Sequence, residues 1–291
     1  MHYQKRNQKA LQAINFIFLL MIIYGVYKNA ISYILIGKEE YYEAIRLLFF
    51  PLLGVISQIL TNLVQKRNLF SKIYEGLFLG LIVPPRFPIW LFLILVILYS
   101  IIKCIHLKLP ISRVLFFKIL LCLSSLLLSI SYENQIENTT PYLYGTLDLF
   151  LGRGVGNFGT TSILLLILLY IILNTDFYYK KELPIYMICG FFLPSLFYGI
   201  INPNYLFLRE VLNSHLWVTA ILFLPANEYS PVTKKGKIIF GFAVGVLSFL
   251  LVEIENILDG SYYALAIGQI LLLFTRKIWL EKKTIVYAKK V

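Results

Sequence analysis

Residues 154–173 read GVGNFGTTSILLLILLYIIL, so a glycine-rich stretch runs directly into a long apolar segment. The spacing of Gly154, Gly156 and Gly159 matches the G-x-G-x-x-G pattern of loops that bind a dinucleotide pyrophosphate. Such a loop leads into an amphipathic helix, whereas the segment from Ser162 to Leu173 is apolar on every face. The stretch therefore predicts a membrane helix with a glycine-rich start, and it excludes a soluble nucleotide-binding domain.

The composition of the whole chain also indicates a membrane environment. Of the 291 residues, 59% are hydrophobic and only 14% are charged, and the mean hydropathy is +0.76. A soluble globule of this size cannot bury that much apolar surface, so the chain is predicted to be an integral membrane protein. No small-residue cleavage site follows residues 11–27, which are therefore expected to be a retained spanning helix. The 3 cysteines show no metal-ligand spacing, so neither a metal site nor a disulfide is expected.

Apolar runs bounded by charge or by proline and glycine predict an all-α fold of about ten transmembrane helices. These runs lie near residues 11–27, 44–64, 73–84, 88–104, 113–131, 159–174, 184–201, 207–224, 237–253 and 261–279. Several of them are shorter than the roughly 20 residues that a straight span needs.

The distribution of charge predicts how the chain is oriented in the membrane. With the N-terminus inside, 21 of the 27 basic residues, among them Lys103 and Lys118, fall in cytoplasmic segments, and ten of the 15 acidic residues fall outside. We therefore expect a multi-pass protein of the cytoplasmic (inner) membrane, with both termini cytoplasmic. The net charge of +12 is explained by this orientation and needs no nucleic-acid partner. Asp176, spaced to hold a ribose, falls inside while the glycines fall outside, so one nucleotide cannot touch both.

The longest polar interruption comes after five predicted crossings. It divides the chain into a first five-helix half (1–131), an extracytoplasmic region (132–158) and a second five-helix half (159–291). Because five is odd, two halves with a common fold would be inverted relative to each other in the bilayer.

Two proline-containing motifs occupy matching places in these halves. Residues 76–90 read GLFLGLIVPPRFPIW and residues 217–232 read WVTAILFLPANEYSPV, each a short apolar run stopped by proline. Proline blocks helix continuation, so each run is expected to end near the membrane interior with carbonyls that need partners. Paired broken helices of this kind indicate a central path for a ligand or an ion. The alternative is that the two motifs are ordinary helix stops.

The start of the sixth predicted helix is a candidate anion site. A helix N-terminus has unpaired amides and a dipole that favours a phosphate. The hydroxyls of Thr160, Thr161 and Ser162 lie there, beside glycines that allow close backbone approach. The alternative is a flexible loop in which threonine or serine only caps the helix.

Four stretches, in order, resemble one family. FLGRGVGNFGTTSILLLILLYIIL (150–173) is similar to a GxxGxxGExSxxAxLxGxxxL segment in the membrane subunits that bind flavin in Rnf-type electron-transport complexes and in the sodium-translocating NADH:quinone reductase. Residues 76–90, 215–251 and 259–272 resemble further motifs of these subunits, so the similarity extends over roughly residues 73–279. The family's ten helices in two inverted halves match the count obtained from charge.

The resemblance implies a flavin site on the outer side. In the family an FMN phosphate is esterified to a threonine, and in IENTTPYLYG (136–145) Thr140 takes that position beside Thr139. Gly154, Gly156, Gly159, Thr160, Thr161 and Ser162 would then hold the cofactor, and riboflavin is a second flavin to consider. The alternative is that the two threonines form a polar turn before a proline.

The implied function is a membrane subunit of a flavin-dependent oxidoreductase complex that transports electrons and could translocate ions. Its partners would be other membrane subunits, a flavin transferase and the lipid bilayer. A transporter or channel with inverted repeats, or a cofactor-free scaffold subunit, is the alternative. No catalytic residue can be assigned from the sequence. His215, in an apolar run, is either an interhelical hydrogen bonder or a proton relay, and Glu75 is expected to be a solvated helix end.

Overall fold

The structure is a computed structural model. It describes residues 2–35, 43–107, 109–130, 146–152, 156–175, 179–202, 205, 207–225, 229–254, 257 and 259–288. Within these residues the fold is helical throughout, without β-strands.

The helices coincide with the apolar runs of the sequence. Up to residue 130 they are α1 (His2–Leu35), α2 (Glu43–Arg46), α3 (Phe49–Val64), α4 (Ile73–Leu81), α5 (Ile89–Cys104) and α6 (Arg113–Leu127). Beyond it they are α7 (Thr146–Leu151), α8 (Ile163–Leu173), α9 (Glu182–Ile201), α10 (Phe207–Val211), α11 (Ser214–Val218), α12 (Lys234–Phe249) and α13 (Gly260–Ala288). Two π-helical turns, Thr219–Phe223 and Leu250–Ile254, continue α11 and α12. All ten predicted runs are thus helical.

The chain is an α-helical membrane protein. Four segments are long and apolar enough to cross a bilayer, namely Leu11–Ala30, Ala44–Val64, Glu182–Ile201 and Lys234–Glu253. Shorter apolar helices cover Ile89–Cys104, Ile163–Leu173 and Gly260–Thr275. Large apolar side chains face outward on these helices, as lipid requires, so the membrane class predicted from composition is confirmed. Ten crossings stay a prediction.

Glycines bring two pairs of helices into close contact, one in each part of the chain. In the α3–α4 pair, a Cβ built on Gly54 would lie 2.1 Å from the carbonyl oxygen of Gly76. In the α9–α12 pair, a Cβ on Gly245 would lie 2.2 Å from the carbonyl oxygen of Met187. Small residues that let helix backbones approach closely are the usual packing device inside a membrane, where water does not drive association.

Both proline-stopped runs end as helices before their prolines, as predicted. Helix α4 ends at Leu81, ahead of Pro84 and Pro85, and the π-helical turn after α11 ends at Phe223, ahead of Pro225. The two broken helices meet in the core, where the ring centroids of Phe78 and Phe223 lie 5.3 Å apart. The candidate functional site is built around these two helix ends.

Candidate functional site

The glycine stretch donates hydrogen bonds to backbone carbonyls at the broken end of α4. Pro84 and Pro85 have no backbone N–H, so the carbonyls of the last turn of α4 lose their helical partners. The amide of Phe158 donates to the carbonyl of Val83 at 2.7 Å, and the amide of Gly159 donates to the carbonyl of Leu81 at 3.1 Å. The carbonyl of Leu81, which Pro85 deprives of a helical partner, and the carbonyl of Val83 beyond the end of α4 are therefore both bonded to protein, as burial requires.

Close packing explains why glycine is needed in this stretch. A Cβ on Gly159 would lie 2.0 Å from Cδ2 of Leu81, and a Cβ on Gly156 would lie 2.5 Å from Oγ of Ser214. The carbonyl oxygen of Phe158 in turn lies where a side chain on Gly25 of α1 would be, at 2.5 Å. The stretch is thus wedged between α1, α4 and α11.

The predicted cofactor residues that the structure describes are all buried. They are Gly156, Gly159, Thr160, Thr161 and Ser162. Oγ of Ser162 accepts from the amide of Leu165 at 3.4 Å, so Ser162 caps α8, as the alternative interpretation had it. The hydroxyl of Thr160 accepts from Nδ2 of Asn157 at 3.3 Å.

The remaining predicted cofactor residues lie outside the described part of the chain. They are Thr139, Thr140 and Gly154. Contacts between any of the predicted residues and a flavin or its phosphate stay a prediction.

A buried cluster of polar side chains surrounds Lys118 on α6, whose side chain is fully buried. Its ammonium donates to Oδ1 of Asn157 at 2.8 Å and to the carbonyl of Ile82 at 3.2 Å. Asp259 places a carboxylate oxygen 3.8 Å away. The ring of Tyr262 lies 4.8 Å from the ammonium, within cation–π range. We call these residues, with His215, the central cluster.

His215 is the residue of this cluster whose importance was predicted from the sequence. Its Nδ1 lies 3.1 Å from Oδ1 of Asp259, and its ring centroid lies 5.6 Å from that of Tyr262. Because His215 is on α11 while the other two residues are at the start of α13, the contact joins different helices. This agrees with the interhelical role expected for a buried histidine. Asp259 and Tyr262 were not predicted as site residues.

Two lysines that the charge count assigned to cytoplasmic segments, Lys103 and Lys118, are buried within helices. The side of the membrane on which they lie stays a prediction. Lys103 donates to Oε1 of Gln58 at 2.8 Å and also pairs with the carboxylate of Glu75, which is therefore not a freely solvated helix end. Helical periodicity could have found Lys118, since it lies on the buried face of α6 with Leu115, Leu121, Cys122 and Ser125.

A cavity of about 670 Å³ is lined by both aromatic and basic residues. The aromatic residues Phe18, Phe78, Tyr99 and Phe223 line it, and so do the basic residues Arg67, Lys72 and Arg113. Phe223 also contacts Tyr262, with ring centroids 5.5 Å apart. One aromatic ring thus belongs to the cavity wall and touches the central cluster.

The second broken helix end has its own partner at this cavity. The hydroxyl of Tyr179 donates to the carbonyl of Ile221 at 2.9 Å. Burial raises the pKa of Tyr179, so the side chain stays a neutral phenol that can donate this bond. Among the residues that the structure describes, no group of three His, Cys, Asp or Glu side chains could hold a metal ion.

Comparison with known families identifies the part of the chain that carries these features. A model described as the NQR2, RnfD, RnfE family matches residues 118–279, which is more than half of the chain. The matched range begins at Lys118 and includes the glycine stretch, His215, Asp259 and Tyr262. No curated protein matches the chain.

Proposed function

The chain belongs to the NQR2, RnfD, RnfE family, and from this membership we propose that it is the flavin-carrying membrane subunit of an electron-transport complex. The observation that carries the proposal is the family match, because its range contains Thr140 as well as the glycine stretch and the central cluster. Membership supports the coarse role of a membrane subunit among other subunits. The flavin, its position and any ion translocation are the proposed part.

We propose two flavins. One is FMN, esterified through its phosphate to the hydroxyl of Thr140. A bound flavin supplies one- and two-electron redox chemistry, while the protein sets its position and environment. The amides of Phe158 and Gly159 are bonded to the end of α4, so in this conformation they do not present themselves to a phosphate. Covalent attachment therefore rests on Thr140 itself, and the glycine stretch anchors the neighbouring backbone.

The cavity is suited to a second, non-covalent flavin such as riboflavin. Its volume of about 670 Å³ falls within the roughly 300–1,000 Å³ of small-molecule sites. Phe18, Phe78 and Phe223 offer aromatic faces for a flat ring system. Gln65 and Ser112 at the same cavity can donate or accept hydrogen bonds, which a flavin ring edge needs.

Helix contacts support ten spans in two inverted halves. In the first half α1 packs on α4 and α3 on α5, and in the second half the corresponding pairs, α8 with α11 and α9 with α12, also pack. Corresponding helices also join the halves, namely α1 with α8 and α6 with α13. Contacts of this pattern are those that two copies of one inverted fold would make.

Intact-mass measurement after coexpression with a flavin transferase tests the covalent flavin. The wild type should gain the mass of one FMN less one water, and Thr140→Ala should lose this gain. Thr139→Ala is the matched control and should keep it. Riboflavin released from the denatured wild type would support the second site. A protein without covalent or released flavin would be the cofactor-free scaffold.

A transporter is the second candidate, favoured by the meeting of two broken helices at the cavity wall, where Phe78 contacts Phe223. It predicts solute or ion flux in proteoliposomes of flavin-free protein. Flux that persists in Thr140→Ala protein, with no flavin in the wild type, would support this alternative.

A further inference from the structure

The ammonium of Lys118 is buried among groups that bind cations. The carbonyl of Ile82 and Oδ1 of Asn157 accept from it at 3.2 Å and 2.8 Å. The carboxylate of Asp259 lies at 3.8 Å, and the ring of Tyr262 presents its π-electrons at 4.8 Å. These groups come from different parts of the fold, namely the end of α4, the segment before α8 and the start of α13. They converge on one point in the core.

Contacts that do not involve Lys118 hold these groups in place. Nδ2 of Asn157 donates to Oγ1 of Thr160 at 3.3 Å and to the hydroxyl of Tyr262 at 3.2 Å, which turns Oδ1 toward the ammonium. Oδ1 of Asp259, at the start of α13, lies 3.1 Å from Nδ1 of His215. The oxygen ligands would therefore keep their arrangement without the lysine side chain.

The broken helix supplies the backbone ligand. The carbonyls on either side of Ile82, those of Leu81 and Val83, accept from the amides of Gly159 and Phe158. This leaves the carbonyl of Ile82 to accept from Lys118. Carbonyls at interrupted membrane helices are ligands for monovalent cations in membrane transport proteins.

We propose that these groups form a monovalent-cation site whose occupant is the tethered ammonium of Lys118. Among the described residues, one carboxylate, two neutral oxygens and an aromatic face compensate a single positive charge, whereas Ca²⁺ takes six to eight oxygen ligands and Mg²⁺ a near-ideal octahedron. A buried charge is costly unless it is paired and hydrogen-bonded. In the wild type the side chain of Lys118 fills the site, so a mobile ion does not pass through this point. The inference does not depend on flavin binding.

Thermal unfolding of purified Lys118→Ala protein in detergent tests the site. The substitution removes the tether and leaves space among the ligands. Its unfolding midpoint should rise by roughly 2–5 °C for each tenfold increase in K⁺ or methylammonium, at constant ionic strength set with choline chloride. The wild type should not respond, because its site is already filled.

Two further variants separate a cation site from a merely damaged core. Lys118→Met fills the same space without charge, so its midpoint should not depend on the cation. Lys118→Ala combined with Asp259→Asn removes the compensating carboxylate, and the dependence should disappear. The proposal is overturned if Lys118→Ala shows no cation dependence or if Lys118→Met shows the same dependence. Failure to obtain folded Lys118→Ala protein even when methylammonium is present throughout purification would also overturn it.

Discussion

At the scale of single residues, one glycine and one lysine determine how the core packs. Because Gly159 has no side chain, Leu81 can pack against it. Lys118 donates a hydrogen bond to the carbonyl of Ile82, just after the broken helix α4. Neither role is visible in residue type alone. Within the glycine stretch, Phe158 and Gly159 contribute to helix packing, since their amides donate to carbonyls at the end of α4.

Gly159→Ala should destabilise the protein, because the new Cβ would lie 2.0 Å from Cδ2 of Leu81. Overpacking a well-packed core costs about 1–3 kcal/mol. Thermal unfolding in detergent measures the loss as a lower midpoint. Leu81→Ala in the same chain restores space, so the double variant should be more stable than the sum of the two single losses. Strict additivity would contradict the contact.

Residue-scale prediction from the sequence succeeded where a local signal existed. His215 stood out because it is an ionisable group in an apolar run, and it lies in the central cluster. Asp259 was missed because it contacts Lys118 and His215 only after distant helices have packed, and the sequence gives no pairing between helices. The burial of Lys118 was not predicted, because charge counting ignores which face of a helix a residue occupies.

At the scale of helices, apolar runs and prolines predicted most of the fold. All ten runs are helical, and the two proline-stopped runs end before Pro84 and Pro225. The partners of the released carbonyls could not be predicted, because Phe158 and Tyr179 are far from them in sequence. The π-helical turns at Thr219–Phe223 and Leu250–Ile254 likewise carried no sequence signal that the apolar pattern could reveal.

The cap of α8 gives a test at this scale. Ser162→Ala removes the hydroxyl that accepts from the amide of Leu165. Loss of a serine cap costs about 0.5–2 kcal/mol, and the length of this bond places the expected loss near the lower end. Ser162→Thr retains a hydroxyl and is the matched control. Equal unfolding midpoints for the alanine and threonine variants would mean that the cap does not stabilise the helix.

At the scale of the whole molecule, the orientation in the membrane can be tested with single cysteines. In a background without Cys104, Cys122 and Cys189, we introduce Thr146→Cys and Lys72→Cys, both at exposed positions. The predicted topology puts Thr146 outside and Lys72 inside. A membrane-impermeant thiol reagent should therefore label the first variant in intact cells and the second only after permeabilisation. Labelling of both in intact cells would contradict the three crossings that are predicted between these two positions.

The whole-molecule arrangement joins the proposed redox function to the observed core. The cavity and the central cluster share the contact of Phe223 with Tyr262, and both lie among the broken helices. This arrangement was not predictable from sequence, because it depends on the crossing of helices from both parts of the chain. The fold class and the family, in contrast, followed from composition and from short ordered motifs.

The reduced-minus-oxidised absorption spectrum of the purified wild type, coexpressed with a flavin transferase, tests the central claim that this subunit carries a redox-active flavin. We predict that a chemical reductant bleaches a flavin band and that air restores it. Thr140→Ala should lose the part of this signal that stays with the protein after denaturation. A wild-type spectrum without any reversible flavin signal would contradict the claim.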